Sequence, residues 1–174
     1  MLFRYHGGLE KLELMLEEPP RMPNFQPRPW QQKVIDILSA EPNDRTIYWV
    51  RDSEGGRGKT QLAKYLLCEK EACLLGGRIA DMAYMWNRDR KYKIGIFDLT
   101  RTQAETTDHL YTFAEQLKNG FFTSTKYISK LKMFAVPHVI FFSNSMPKED
   151  KWSADRLHLI DLDADNEENH LGFA

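Results

Sequence analysis

The stretch VRDSEGGRGKTQLAKYL, Val50 to Leu66, decides the fold. It leaves a β-branched and aromatic run (TIYWV, Thr46 to Val50), crosses three glycines and enters a helix pattern. Strand, glycine-rich turn and helix form the context in which a loop cradles phosphate. Gly55, Gly56 and Gly58 allow backbone angles that turn several N–H groups inward. The helix that follows adds about half a positive charge at its N-terminus. Lys59 can reach the β- and γ-phosphates of ATP, and the Thr60 hydroxyl can ligate Mg²⁺. The expected ATP-binding residues are therefore Glu54, Gly55, Gly56, Arg57, Gly58, Lys59, Thr60 and Gln61. The usual G-x-x-x-x-G-K-[ST] pattern begins with a glycine, and Ser53 stands in its place. The expectation is that Ser53 or Asp52 makes the entry turn at some strain.

Around this stretch the chain alternates strands and helices. WQQKVIDIL sets Trp30, Val34, Ile35 and Leu38 on one helical face. KTQLAKYLL and ADMAYMW read as helices, ACLLGG as a short strand with a turn, and NRDRKYK as a basic loop. QAETTDHLYTFAEQLKNG reads as a long helix with Leu110, Phe113, Ala114 and Leu117 as its apolar stripe and Gly120 as its stop. IGIFDL, HVIFFSN and LHLIDLD complete the strands. Near-continuous apolar strands between helices imply an α/β fold with a mostly parallel sheet covered on both faces. Residues 30–174 form the expected globular domain. Residues 1–29 stand apart, as a leucine-rich helix (GLEKLELMLEE) and a linker or extended arm holding five of the eight prolines. The arm helix suits packing on a neighbour or folding back on its own domain.

Composition narrows the class. The 174 residues suffice for one domain with a core, and 42% hydrophobic and 28% charged residues are ordinary for a globular protein. The longest apolar runs are about four residues, far short of the roughly 20 of a membrane helix. No signal-peptide pattern opens the chain, which reads as intracellular with no membrane partner. Cys68 and Cys73 have no Cys or His partners at zinc spacing and read as reduced thiols. The net charge is −1, so nucleic-acid contact has to come from a local patch or from patches repeated in an oligomer.

A nucleotide site also needs a carboxylate for Mg²⁺ at the end of a second strand. IGIFD supplies Asp98, 39 residues after Lys59. No second acid follows it to activate water; the next residues are Leu99, Thr100 and Arg101. FFSNS ends the third strand on Asn144, whose amide can bond both a γ-phosphate and an attacking water. On this residue alone an Asn that starts a turn before Pro147 is the favoured reading, and the order of the three strands favours the functional one. Arg156, in WSADRLHLIDL, precedes the fourth strand, and from spacing alone it reads as a surface arginine.

The series GGRGKT, IFDLTR, EQLKNGFFTSTKYISK, VIFFSNSMP and SADRLHLI resembles the helicase domain of replication-initiator (Rep) proteins of circular single-stranded DNA viruses, the nanovirus-like group above all. The resemblance runs from about Pro29 to Asp163. It implies a superfamily 3 helicase with an AAA+-type P-loop NTPase fold, hydrolysing ATP with Mg²⁺ in a homo-hexameric ring in the host nucleus. Lys59, Thr60 and Asp98 would serve ATP and Mg²⁺, Asn144 would sense the γ-phosphate, and Arg156 would reach a neighbour's site as a finger. A finger of this kind is worth about 10³ or more in rate. The segment NGFFTSTKYISKLKMF would be a hairpin gripping single-stranded DNA through Lys126, Tyr127, Lys130 and Lys132, with no acid from Asn119 to Val136. The family's nicking nuclease has a His-hydrophobe-His pair that is missing here, so no nicking is expected and the chain reads as a piece cut at a domain boundary. Alternatives are an RNA-directed viral ring ATPase, a nucleotide-dependent assembly module without unwinding, and a small-molecule kinase, for which SMPKEDKWSADR is too short a lid.

Overall fold

The apolar runs become the middle layer of a three-layer sandwich. The computed structural model describes residues 20–87, 91–99, 107–124 and 129–164. Among these the helices are α1 (Pro29–Ser39), α2 (Lys59–Glu69), α3 (Ile79–Asn87) and α4 (Asp108–Asn119). The strands are β1 (Ile47–Arg51), β2 (Ala72–Leu74), β3 (Ile94–Asp98), β4 (Phe121–Ser124), β5 (Lys130–Met133), β6 (His138–Ser143) and β7 (Leu157–Asp161). Five of them form one sheet in the order β2-β3-β6-β1-β7, every neighbouring pair parallel. The α/β fold with a parallel central sheet flanked by helices is that of a P-loop NTPase.

Successive strand residues point to opposite faces, so each apolar run fills two cores at once. Ile47, Trp49, Phe97, Val139 and Phe141 turn toward α3 and α4 and pack with Met82, Trp86, Phe113 and Leu117. Val50, Ile94, Ile96, Ile140 and Phe142 turn the other way, toward Val34, Ile35 and Leu38 of α1 and Leu62 and Leu66 of α2. Gly95 sits where β3 meets α4: a Cβ there would stand 3.0 Å from Leu117 Cδ1 and 3.2 Å from Leu75 Cδ1. β6, central and flanked on both sides, is buried along its whole length. β7 is one edge of the sheet, and its residues are half-buried or exposed, so its apolar letters mark an edge rather than an interior strand.

Helix ends follow local chemistry. Pro29 opens α1, where its missing N–H costs nothing. Gly120 ends α4 at φ 77°, as its place after the apolar stripe suggests. The described part of the expected long helix starts only at Asp108; residues 103–106 lie outside the described residues. β4 and β5 pair antiparallel as a separate two-stranded sheet directly after α4. The arm from Pro20 to Arg28 is laid along α2: Phe25 stacks on Tyr65 with ring centroids 4.5 Å apart, and the Met22 amide donates to Glu69 Oε1 at 2.6 Å. The leucine-rich N-terminal stretch lies outside the described residues.

Candidate functional site

All five parallel strands end at one edge of the sheet, and the glycine-rich loop leaves β1 there. Asp52 extends β1 by one bond, its amide donating to the Ser143 carbonyl at 3.0 Å. Gly55, Gly56 and Gly58 then take φ of 86°, 82° and 92°, in the left-handed region that glycine occupies without penalty. Ser53 and Asp52 do not: among the described residues, Glu71 is the non-glycine with positive φ. The strain expected at the entry turn is absent, because the three glycines absorb the reversal.

The loop is held from outside by the first turn of α1. Arg28 Nη1, Trp30 Nε1 and Gln31 Nε2 donate to the carbonyls of Gly56, Arg57 and Gly58 at 3.4, 3.1 and 2.8 Å. A carbonyl and the next residue's N–H point oppositely across a planar peptide. Fixing these three carbonyls toward α1 therefore turns the amides of Arg57, Gly58 and Lys59 away from it. Arg57 also bonds the Leu162 carbonyl and lies 3.3 Å from Asp163, which ties the loop to the end of β7.

Inside the loop, Lys59 is buried at the start of α2, with Nζ 2.9 Å from Asp52 Oδ2 and 3.4 Å from the Asp52 carbonyl. That same carbonyl accepts Asn144 Nδ2 at 2.7 Å. Asp98 ends β3, beside Phe142 of β6. Burial pushes the Asp98 carboxyl above the ordinary carboxylate range, and the Lys59 charge opposes this only in part. A cavity of about 560 Å³ opens over the group, lined by Lys59, Thr60, Asp98 and Asn144 and by Glu54, Gly55, Gly56, Gly58, Gln61 and Leu99. This is the size range of small-molecule sites. Of the expected ATP-binding residues all but Arg57 line it.

Arg156 is elsewhere. Its carbonyl accepts the Ile47 amide at 2.7 Å, so it marks the amino end of β7 and β1, the opposite edge of the sheet. Its Nη1 is buried without a hydrogen-bond partner among the described residues. In the hairpin, Lys130 stands opposite Ser124 and Lys132 opposite Phe122, on the face turned to the domain. The face turned away carries Phe121, Leu131 and Met133, which are 50%, 59% and 72% exposed. Lys130 is nonetheless exposed and Lys132 half-buried. Lys126 and Tyr127 lie outside the described residues.

Sequence reasoning did not foresee Asp52 as a partner of Lys59, nor Gln31 as a loop clamp. Asp52 is fully buried, and burial pushes its carboxyl up. Hydrogen bonds from Lys59 and the Gly55 amide, with the Lys59 charge, outweigh that and hold it below the ordinary range. The signal for Gln31 was available: it sits on the same helical face as Val34 and Ile35, a polar residue where an apolar one is expected.

No family model matches the chain. It is 40% identical over 134 residues to Para-Rep C1 of Faba bean necrotic yellows C11 alphasatellite, covering 76% of this chain and 46% of that protein. The master replication protein of Milk vetch dwarf virus is 38% identical over 157 residues, or 90% of this chain and 51% of that one. That of Subterranean clover stunt virus is 32% identical over 160 residues, or 91% and 52%. The chain thus spans about half the length of the curated relatives it matches. Among solved structures, the C-terminal region of NrS-1 in its A-form apo structure overlaps 84% of this chain and 45% of that one, at TM-score 0.38 and 12% identity, a likeness too loose to argue from. Over the half of their length that it spans, these identities make the chain a homologue of the replication proteins of nanoviruses and their alphasatellites.

Proposed function

We propose that this chain is the ATP-driven DNA helicase part of a viral replication-initiator protein. The observation that carries the reading is the convergence of Lys59, Asp98 and Asn144 on one cavity at the carboxyl edge of a parallel sheet. In this reading Lys59 and the loop amides bind the β- and γ-phosphates, and the amino end of α2 adds its dipole. Asn144, fixed by its bond to the Asp52 carbonyl, offers its remaining amide atoms to the γ-phosphate and to the attacking water. Leu99, which follows Asp98, is buried and apolar and cannot orient that water, and this reading gives the task to Asn144.

The donor set fits Mg²⁺. Thr60 and Asp98 line the same cavity, and the half-buried Asp98 carboxyl is short of positive charge. Among the described residues no group of three or more His, Cys, Asp or Glu side chains is placed to hold a metal by itself. A hydroxyl and one carboxylate, completed by phosphate oxygens and water, is the way Mg²⁺ is usually held with nucleotides. Bound there, Mg²⁺ would offset charge on the transferred phosphoryl group.

The reading extends to a homo-hexameric ring in the host nucleus that moves along single-stranded DNA during rolling-circle replication. Lys130 and Lys132 contribute to the DNA grip, together with Lys126 and Tyr127. Arg156, far from its own loop, would complete the site of the next subunit. Among the described residues no helix is long and apolar enough to cross a membrane.

The test is ATP hydrolysis with and without single-stranded DNA across a salt series, and unwinding by the Lys59→Ala variant. Expected are hydrolysis stimulated by DNA, DNA affinity that falls steeply with salt, and no unwinding by Lys59→Ala. Stimulation by single-stranded RNA alone would favour an RNA-directed ring ATPase. Unwinding that survives Lys59→Ala would refute the helicase mechanism.

A further inference from the structure

The carboxylate beneath the loop is in the wrong place for an anion site. Asp52 is completely buried, and its Oδ2 lies 2.9 Å from Lys59 Nζ. Its Oδ1 accepts the Gly55 amide at 2.9 Å, its Oδ2 accepts the Arg57 amide at 3.4 Å, and Arg57 Nε stands 3.5 Å from Oδ1. Lysine, two loop amides and a guanidinium are the donors that a phosphate group attracts. Here one side chain of the loop itself already takes them. Asp52 does not line the cavity, while Lys59 does.

From this geometry we infer that Asp52 is an internal counter-anion that competes with the phosphates of a nucleotide for Lys59. The inference rests on the nucleotide reading of the cavity. In the free protein the ion pair satisfies a buried lysine whose charge otherwise meets only the more distant Asp98 carboxylate, with which it makes no direct bond. When phosphates enter, Lys59 has to be shared between them and a fixed negative charge within reach of the same ammonium. That charge opposes binding, most strongly for the most highly charged ligand, and favours return of Lys59 to Asp52 when product leaves. Asp52 is thus a positioning residue that sets affinity and release, and it does not touch the reacting atoms.

The direction of the effect separates this role from a structural one, because damage to a loop weakens binding and does not tighten it. Asp52→Asn keeps an acceptor for the Gly55 amide and removes the charge. Asp52→Ser is a second neutral variant, also with an acceptor. The measurement is calorimetric titration of the wild type and both variants with ADP and with inorganic pyrophosphate, alongside thermal melting. Removing a like charge at this range should tighten both ligands by about tenfold in at least one variant that melts cooperatively. Unchanged or weaker affinity in cooperatively folded variants, with the wild type binding normally, overturns the counter-anion role and leaves the nucleotide site standing. Failure of the folded wild type and the folded variants to bind either ligand overturns the nucleotide reading and the inference together.

Discussion

Gln31 buries its amide against the loop, with Nε2 2.8 Å from the Gly58 carbonyl and Oε1 accepting the Arg28 amide at 2.7 Å. One side chain therefore joins the start of α1 to the residue on which α2 begins. The glycine-rich loop is consequently a clamped element whose outer wall belongs to another helix.

This clamp leaves no room at Gly58. A Cβ there would lie 2.9 Å from Gln31 Nε2, and φ is 92°. Gly58→Ala should cost roughly 1–3 kcal/mol in urea unfolding through the left-handed backbone alone, and it should weaken ADP binding as Gln31 is pushed aside. Unchanged stability would mean that the loop is free to rearrange.

Arg156→Ala should abolish ATP hydrolysis and leave ADP affinity within about twofold, since the arginine sits at the edge of the sheet away from its own loop. Retained hydrolysis, read in a steady-state phosphate-release assay, would remove Arg156 from the reaction.

Lys118 offers a pH test of the fold. It is buried between two carbonyls, of Asn43 and Pro137, each 2.8 Å from Nζ. Burial lowers its pKa from 10.5 to about 8; Asp44 pulls it up and Arg156 pushes it further down. The neighbouring His138 is itself held below its ordinary value by burial, and so is neutral in this range. Between about 8 and 10.5 the unfolded chain binds the Lys118 proton and the folded chain does not. Stability should therefore rise with pH across that window. Denaturant midpoints of the wild type should climb relative to those of Lys118→Met, and parallel curves would contradict the assignment.

Lys130 and Lys132 are not interchangeable with their hairpin neighbours. Exchange of both for Glu should lower the slope of log affinity for single-stranded DNA against log salt by about one per lysine that contacts phosphate. An unchanged slope would move the grip to the exposed face of Phe121, Leu131 and Met133, where stacking on Phe121 and apolar contact release no counterions.

The sheet was legible because its strands are apolar on both faces, and a run such as VIFF has few other places to go. Asp98 and Asn144 could be located for the same reason: Asp98 is the first polar side chain to end such a run, and Asn144 directly follows the Ser143 that ends another. Asp52 was visible as a letter but not as a partner, since its pairing with Lys59 depends on how three glycines turn the chain back. Gln31 to Gly58 joins residues 27 positions apart and exists only once α1 packs on the sheet. The facing of the hairpin escaped too. In KLKM either the lysines or the apolar pair can look outward, and only the pairing of Lys132 with Phe122 decides.

Strands of about five residues separate Lys59 from Arg156, a span of roughly 16 Å, more than an arginine side chain can bridge. In the ring proposed above, a molecule built this way has two distinct ways to be inactive. A copy without Lys59 still carries a sound arginine, and a copy without Arg156 still carries a sound loop. Mixed in one assembly, the two defective copies should complement each other, one junction recovering what neither partner has alone.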